Sequence, residues 1–173
     1  MIKKFFITIG IILLLTSLFV IYLSTIGIET TKFNKLIKNE LKSYNDKTDV
    51  NLKKVKLKLD IKNFFINIQS QDPIVIFNNI EIQLKKLNFN ISINSYLKEE
   101  FGIKKVSIQT KYNKISDFIN IYQAETGSAQ FYIISRMLKD GDLRLNIDFE
   151  FDQKGKINKN YIIYGDVKEA KIK

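Results

Sequence analysis

The chain has 173 residues, with 28 Lys and Arg against 18 Asp and Glu and a formal net charge of +10. It contains no Cys, His or Trp, which excludes disulfides, thiol nucleophiles, histidine bases and the usual zinc ligand sets. The lysines are spread without a dense block, and Arg136 and Arg144 are the only arginines, so we expect no nucleic-acid partner. The lysines fit attraction to anionic headgroups or protection of exposed strand edges.

The first predicted element is an uncharged hydrophobic run, Phe5 to Leu23. Its length corresponds to about 28 Å of helix, close to the ~30 Å hydrocarbon core of a bilayer. Two lysines precede it as in a signal sequence, but the run is longer than a typical signal core and the cleavage site is weak. An uncleaved anchor is therefore favoured. The predicted division is a cytoplasmic tail (1–4), a transmembrane anchor (5–28) and one β-rich domain (29–173).

The orientation of this anchor depends on which charges are counted. Four lysines soon after the run outnumber the two before it, which taken literally would leave the domain in the cytoplasm. Long segments translocate largely regardless of charge, and a short tail before an N-terminal anchor usually stays inside. We therefore expect the domain to lie in a periplasm.

After the anchor, Thr30 to Tyr44 is predicted to form an amphipathic helix, because its apolar residues recur at helical spacing. This helix would either lie on the membrane or pack on the domain, and packing is favoured. From Val50 to Ile93, apolar and polar residues alternate, which predicts strands with a turn at Pro73. A break in this alternation at Lys85–Lys86 predicts a bulge or tight turn.

The second half of the chain continues with strands and two helices. The elements predicted before the most regular strand are a short link (Ser95–Phe101), a strand (Ile103–Tyr112), a helix from about Ile115, and a second helix (Ala129–Lys139) ended by Asp140–Gly141. The elements predicted from there are that strand (Leu143–Phe151), a turn (Asp152–Gly155), a partner strand (Ile157–Tyr164), a bulge at Gly165, and a further strand from Val167.

These elements define a fold class, because short turns between strands favour antiparallel pairing. We predict a mainly β (α+β) protein: one N-terminal transmembrane helix, then an antiparallel, twisted β-sheet or β-groove of about eight strands with two to three amphipathic helices. The apolar face of such a sheet is either a closed core or a groove open to acyl chains. Periodicity alone favours the closed core.

Signals for an enzyme are weak. The carboxylates around Asp148 fall on the polar face of the most regular strand beside Arg144, as on an ordinary solvated face. The stretch Asp148–Asp152 lacks the Gly and Glu positions of an EF-hand, and we find no glycine-rich phosphate loop or nucleophile elbow. We predict no enzymatic activity, no cofactor and no metal site.

Three segments carry a resemblance: IGIETTKFNKLIKNEL (Ile26–Leu41), LKKVKLKLDI (Leu52–Ile61) and GDLRLNIDFEFDQKGKINKNYIIYGDVKEAKI (Gly141–Ile172). Together with the N-terminal anchor, they resemble the AsmA-like family of TamB- and YhdP-type proteins. The resemblance implies an inner-membrane helix leading into a periplasmic β-groove associated with phospholipid transport, without catalytic or metal-binding residues. Family members are much longer, so the resemblance covers only their amino-terminal part. The chain is then expected to be either a truncated reading frame or one piece of an assembly extended by strand addition. Its end at Ala170–Lys173, inside a predicted strand, favours the truncated reading frame.

The resulting hypothesis is a single-pass protein of the bacterial inner membrane that contributes an apolar β-groove for phospholipid transport and outer-membrane homeostasis. Its expected partners are phospholipid acyl chains and an envelope protein that pairs with a strand edge. The alternative is a structural scaffold or an LptC-like interaction module with a closed core. The residues predicted to contact lipid are Leu143, Leu145, Ile147, Phe149, Phe89, Ile91 and Val106.

Overall fold

The computed structural model describes residues 2–98, 100–127, 138–158 and 161–172. Its first half contains α1 (Ile2–Thr25), β1 (Ile28–Thr30), α2 (Asn34–Tyr44), β2 (Thr48–Asn51), β3 (Val55–Asp60), β4 (Phe65–Gln71), β5 (Ile74–Phe77) and β6 (Ile80–Ser92). Its second half contains α3 (Ile93–Leu97), β7 (Ile103–Thr110), β8 (Asn113–Lys114), α4 (Ile115–Thr126), β9 (Leu138–Glu150) and β10 (Ile162–Ile172).

Helix α1 contains the predicted hydrophobic run. Its 24 residues correspond to about 36 Å of helix. The segment Lys3–Thr25 is long and apolar enough to cross a membrane, and none of it is buried against the rest of the protein. The helix therefore has the length and composition that a single-pass anchor requires.

The strands form an open antiparallel sheet in the order β1-β3-β4-β6-β7-β9-β10, which confirms the predicted fold class. The short strand β1 and the long strand β10 form the two edges of this order. A branch leaves it at β6, whose first residues pair with β5, while β5 also pairs with β2. The described residues form ten strands, rather than about eight, because β1 and β8 are too short to give a periodic signal.

The predicted bulge lies where β6 passes from one set of partners to the other. Ile80–Gln83 pairs with β5, whereas Lys86–Ser92 pairs with β4. The register with β7 shifts between Leu84 and Lys86. Since one extra residue restores the phase of side chains, Leu84 and Leu87 are both buried although they are three residues apart.

The prediction of a second helix from Ala129 to Lys139 is wrong at its C-terminal end. Most of it falls on residues 128–137, which lie outside the described residues. Leu138, Lys139 and the predicted stop at Asp140–Gly141 belong to β9 instead. The start of β9 pairs with the end of β10, with Leu138 opposite Ile172, and this long-range pairing is absent from any local sequence pattern.

The return from β9 also differs from the prediction. Ile157 forms only an isolated bridge with Phe151, and one strand, β10, replaces the two predicted strands. Gly165 is not a bulge, because it lies in regular register opposite Leu145. A Cβ there would come within 2.5 Å of the Arg144 carbonyl oxygen, so close approach of β9 accounts for the glycine. The irregularity lies later, between Lys168 and Lys171.

The buried core lies at the end of the sheet where the β2–β5 branch and α4 cover it. Ile82, Leu84 and Leu87 are its centre, and Phe118 and Ile121 of α4 pack against them. This end of the sheet is closed by protein, which reduces the apolar surface left for other contacts.

Helix α2 packs on the domain, as favoured from the sequence. It contacts β2, and Lys38 Nζ lies 2.9 Å from the Asp49 carboxylate. The Asn34 side-chain amide donates to the Leu52 carbonyl oxygen at 2.8 Å. These bonds hold α2 against the β2–β3 connection.

Candidate functional site

Apolar side chains align across the strands on one face of the sheet. Residues directly opposite each other in an antiparallel pair lie on the same face, so the register can be followed from strand to strand. It places one apolar residue from each of six successive strands in a line that we call the apolar row: Ile28, Leu57, Ile68, Phe89, Val106 and Phe149. With neighbouring strands about 4.8 Å apart, the row is roughly 24 Å long.

The apolar row lies between two further rows on the same face. One row lies toward the end of the sheet away from the buried core, which we call the open end, and consists of Leu59, Ile66, Ile91 and Ile103. The row toward the closed end consists of Val55, Ser70, Leu87, Ile108, Ile147 and Ile163. Together with Leu143 and Leu145, which continue the same side of β9, the three rows form a continuous surface, which we call the apolar face.

Burial falls across this face in two directions: from the closed end to the open end on β3, β4 and β6, and from β6 toward the β10 edge. Val55 is fully buried and Leu87 is 5% exposed. Within the apolar row, Phe89 and Val106 are half-buried, and in the outer row Ile66 is 37% exposed. Toward the β10 edge, Ile163 reaches 53%. Among the described residues, α4 covers only the closed end, so much of the face remains accessible.

All seven residues predicted to contact lipid lie on the apolar face. Phe89, Val106 and Phe149 belong to the apolar row itself, and Ile91 and Ile147 occupy the two neighbouring rows. Leu143 and Leu145 continue the same face of β9 toward the closed end, opposite Val167 and Gly165 of β10. Each of the seven is half-buried. The structure therefore brings the predicted residues together on one face.

The apolar row begins beside the hydrophobic helix. Helix α1 ends at Thr25 and β1 begins at Ile28, which is the first member of the row. Helix α1 also contacts β3, and Gly27 makes the turn with a φ of +78°, a conformation that glycine adopts at little cost. The apolar surface of the helix and that of the sheet are thus separated by only two residues.

The opposite face of the sheet is polar, and two of its carboxylates, Asp166 and Asp148, are paired. Arg144 Nε donates to Asp166 at 2.9 Å, and the Tyr112 hydroxyl donates to the same carboxylate. The hydrogen bond from Tyr112, followed by that from Arg144, lowers the pKa of Asp166. Asp148 is similar, because a hydrogen bond from Ser107 and then Lys105 lower its pKa.

These pairs place charged side chains together on the polar face of β9 and its neighbouring strands, as strand alternation predicted. In the part of the chain that the structure describes, no group of three or more Asp or Glu side chains gathers as a metal site. The arrangement offers charge pairing on one face and apolar contact on the other, and its accessible surface is suited to binding.

Sequence reasoning missed the members of the face contributed by β3 and β4. Leu57 and Ile68 fall within the alternating stretch from Val50 to Ile93, but only the strand order places them in line with Phe89. It also missed Asn113, which is buried and bonds to the backbone of Gln83. No periodic signal marks a single buried amide.

The fold and its accessible surface define a class of protein: a helix able to cross a membrane, joined directly to an open antiparallel sheet with one apolar face. A scan against protein-family models, a search of curated proteins and a search of solved structures each found no match.

Proposed function

We propose that this protein is an inner-membrane-anchored β-groove module whose apolar face shields phospholipid acyl chains in the periplasm, without catalysing a reaction. The observation that carries the proposal is the apolar row, which is six residues long, only partly covered and continuous with a helix able to span a membrane. The resemblance of three segments to the AsmA-like family supports the same function.

The energetics favour such a surface. Transferring an acyl chain into water costs about 0.8 kcal/mol for each CH₂ group, so even one chain requires shelter over most of its length. One leaflet contributes half of the ~30 Å hydrocarbon core, which makes an acyl chain about 15 Å deep. The apolar row, at roughly 24 Å, is long enough to shield a chain lying across the strands.

The connection to α1 provides an entry point. An acyl chain leaving the bilayer along the helix would meet Ile28 first, and then Leu57 on the neighbouring strand. Beyond them the row continues without a polar residue to Phe149 of β9. A continuous apolar path avoids the cost of exposing the chain to water between two separate sites.

A second candidate function is an interaction module that pairs with another envelope protein through an edge strand. The outer edge of β10 has no partner among the described residues, and its exposed apolar side chains include Ile162 at 57% and Tyr164 at 63%. A long edge strand with apolar side chains favours addition of a strand from another chain.

Photo-crosslinking of the full-length chain in lipid nanodiscs tests the lipid proposal. The probe is a phospholipid with a photoactivatable group near the end of one acyl chain, and adducts are mapped by peptide mass spectrometry. Ile147→Asp places a charge on the apolar face, whereas the matched control Asn146→Asp places the same charge on the polar face of the same strand. The control keeps a side-chain oxygen that can accept the hydrogen bond from the Gln109 side-chain amide.

We expect adducts on peptides of the apolar face, and a severalfold loss of them in Ile147→Asp but not in Asn146→Asp. Adducts on α1 serve as an internal reference and should stay constant. Ile163→Asp, at a side chain that is 53% exposed, repeats the test with less risk to folding. Absence of adducts on the sheet, or unfolding of both apolar-face variants, would contradict the open groove and favour a covered scaffold.

A further inference from the structure

A second surface lies on the polar side of the same strands. A cavity of about 530 Å³ opens on β1, β3 and β4, and four lysines line it: Lys53, Lys54, Lys56 and Lys58. We call it the lysine cavity. Lys56 and Lys58 alternate along β3 with Leu57 and Leu59 of the apolar face, so the cavity lies on the opposite side of the sheet.

The lysine cavity has unbalanced positive charge. None of its four lysines lies within 4.0 Å of a carboxylate oxygen of any described residue. Two carboxylates also line it, but Asp72 is paired with Lys111 outside the cavity, at 2.7 Å, and interacts with Lys53 only at longer range. Glu29 remains, opposite Lys56 in the β1–β3 register. Two carboxylates, one of them shared with Lys111, against four ammonium groups leave a net positive charge that favours an added anion.

The position of the cavity relative to α1 identifies the source of that anion. A Cβ placed on Gly27 would lie 2.7 Å from Lys58 Cγ, so the Lys58 side chain runs beside the chain two residues after the helix ends. If α1 crosses the bilayer, this is the level of the lipid headgroups. Lysines there extend their ammonium groups toward phosphates, and the carbonyl end of a helix favours nearby cations.

We infer that the lysine cavity binds the phosphate of an anionic phospholipid headgroup in the leaflet where α1 ends. This inference rests on α1 crossing the membrane, as in the proposed function, but not on acyl chains occupying the apolar face. The bound headgroup would fix the orientation of β3 relative to the membrane surface. It would also relieve the mutual repulsion of four lysines within six residues.

The test uses the full-length chain in nanodiscs of phosphatidylcholine that contain a small fraction of phosphatidylglycerol. Native mass spectrometry measures how strongly phosphatidylglycerol is enriched around the protein. The test variant is Lys56→Gln combined with Lys58→Gln. The control variant is Lys154→Gln combined with Lys156→Gln, which removes the same charge from the turn after β9. An attraction of about fivefold for each lysine near an anionic surface predicts about a 25-fold loss for the test pair.

The expected result is loss of phosphatidylglycerol enrichment in the cavity variant, with little change in the control variant and in the far-UV circular dichroism of both. Equal losses of enrichment in the two variants would show a general attraction of lysines to anionic lipid without a specific site, and would overturn the inference. No loss of enrichment in either variant would overturn it as well. Inorganic phosphate and glycerophosphate are added as competitors. If they displace the lipid at concentrations comparable with its own, the site binds free phosphates and the assignment to a membrane headgroup is wrong.

Crosslinking separates this inference from the proposed function. The cavity variant should keep acyl-chain adducts on the apolar face if that proposal is right, because its substitutions lie on the other side of the sheet. Loss of headgroup enrichment with intact adducts in the cavity variant would support both proposals and assign them to separate surfaces. Another outcome is that the unmodified protein enriches phosphatidylglycerol, the lysine substitutions remove this enrichment, and no adducts form on the sheet. That outcome would overturn the acyl-chain proposal and support the headgroup site alone.

Discussion

Two truncations of equal size distinguish an open apolar face from a closed one. Leu84→Ala and Ile66→Ala each remove three carbon atoms from the apolar side of the sheet. Leu84 is 3% exposed within the core at the closed end, whereas Ile66 is 37% exposed in the outer row. Ile66 lies directly opposite Ile91, one of the residues predicted to contact lipid. The pair therefore tests the same face at its two ends.

The expected costs follow from burial. Three buried carbons at about 0.8 kcal/mol each give roughly 2.4 kcal/mol, and the residual cavity brings Leu84→Ala to about 3 kcal/mol. At Ile66 the removed atoms are already partly in water and no enclosed cavity forms. The lost burial of these atoms and the lower strand preference of Ala together then give a cost of about 1 kcal/mol for Ile66→Ala. The predicted difference in the free energy of unfolding is about 2 kcal/mol.

Urea unfolding of the full-length chain in mild detergent, followed by far-UV circular dichroism, measures this difference. The midpoint should fall much further for Leu84→Ala than for Ile66→Ala, with unchanged slopes. Equal costs of about 3 kcal/mol would mean that Ile66 is enclosed in solution. The open face, and with it the lipid groove, would then be refuted in favour of a closed scaffold.

Two further predictions concern the polar groups. Asn113→Ala removes a side-chain amide that makes two hydrogen bonds to the backbone of Gln83: it accepts one from the Gln83 N–H at 2.7 Å and donates one to the Gln83 carbonyl oxygen at 3.0 Å. It should lower the free energy of unfolding by about 2–4 kcal/mol in the same urea assay, and a cost under about 0.5 kcal/mol would contradict this role. The second prediction is loss of stability in acid. Because the pKa values of Asp148 and Asp166 are lowered in the folded state, their contribution is complete above the unfolded value near 3.9 and is lost as the pH falls through the folded values. Urea midpoints should fall below about pH 4, and Asp166→Asn should reduce this fall, whereas an unchanged fall would exclude Asp166 as a contributor.

The parts of the fold that the sequence predicted are those that periodicity controls. Alternation in residues 143–151 predicted most of β9, and the phase break at Lys85–Lys86 predicted the register shift of β6. The hydrophobic run predicted α1. In each case the signal is local, because side-chain period alone decides which residues can share a buried face.

The parts that the sequence did not predict depend on distant segments. The start of β9 is a strand because β10 pairs with it, and residues 138–141 alone carry no such signal. The branch at β6 likewise requires β4 and β5 to pair with different halves of the same strand. For the candidate site, alternation identified the apolar face of each strand, but only the strand order joined six of them into a row.

The two proposed binding surfaces meet at β3, and the geometry of a strand explains why. Successive side chains point to opposite faces, so the sequence from Lys56 to Leu59 supplies both the lysine cavity and the apolar face. Strand β3 also contacts α1, which places both surfaces close to the point where the chain would leave the membrane. A headgroup held by the lysines would therefore keep the start of the apolar row at the bilayer surface. On this basis the cavity variant should slow the entry of acyl chains onto the row without lowering the final extent of crosslinking.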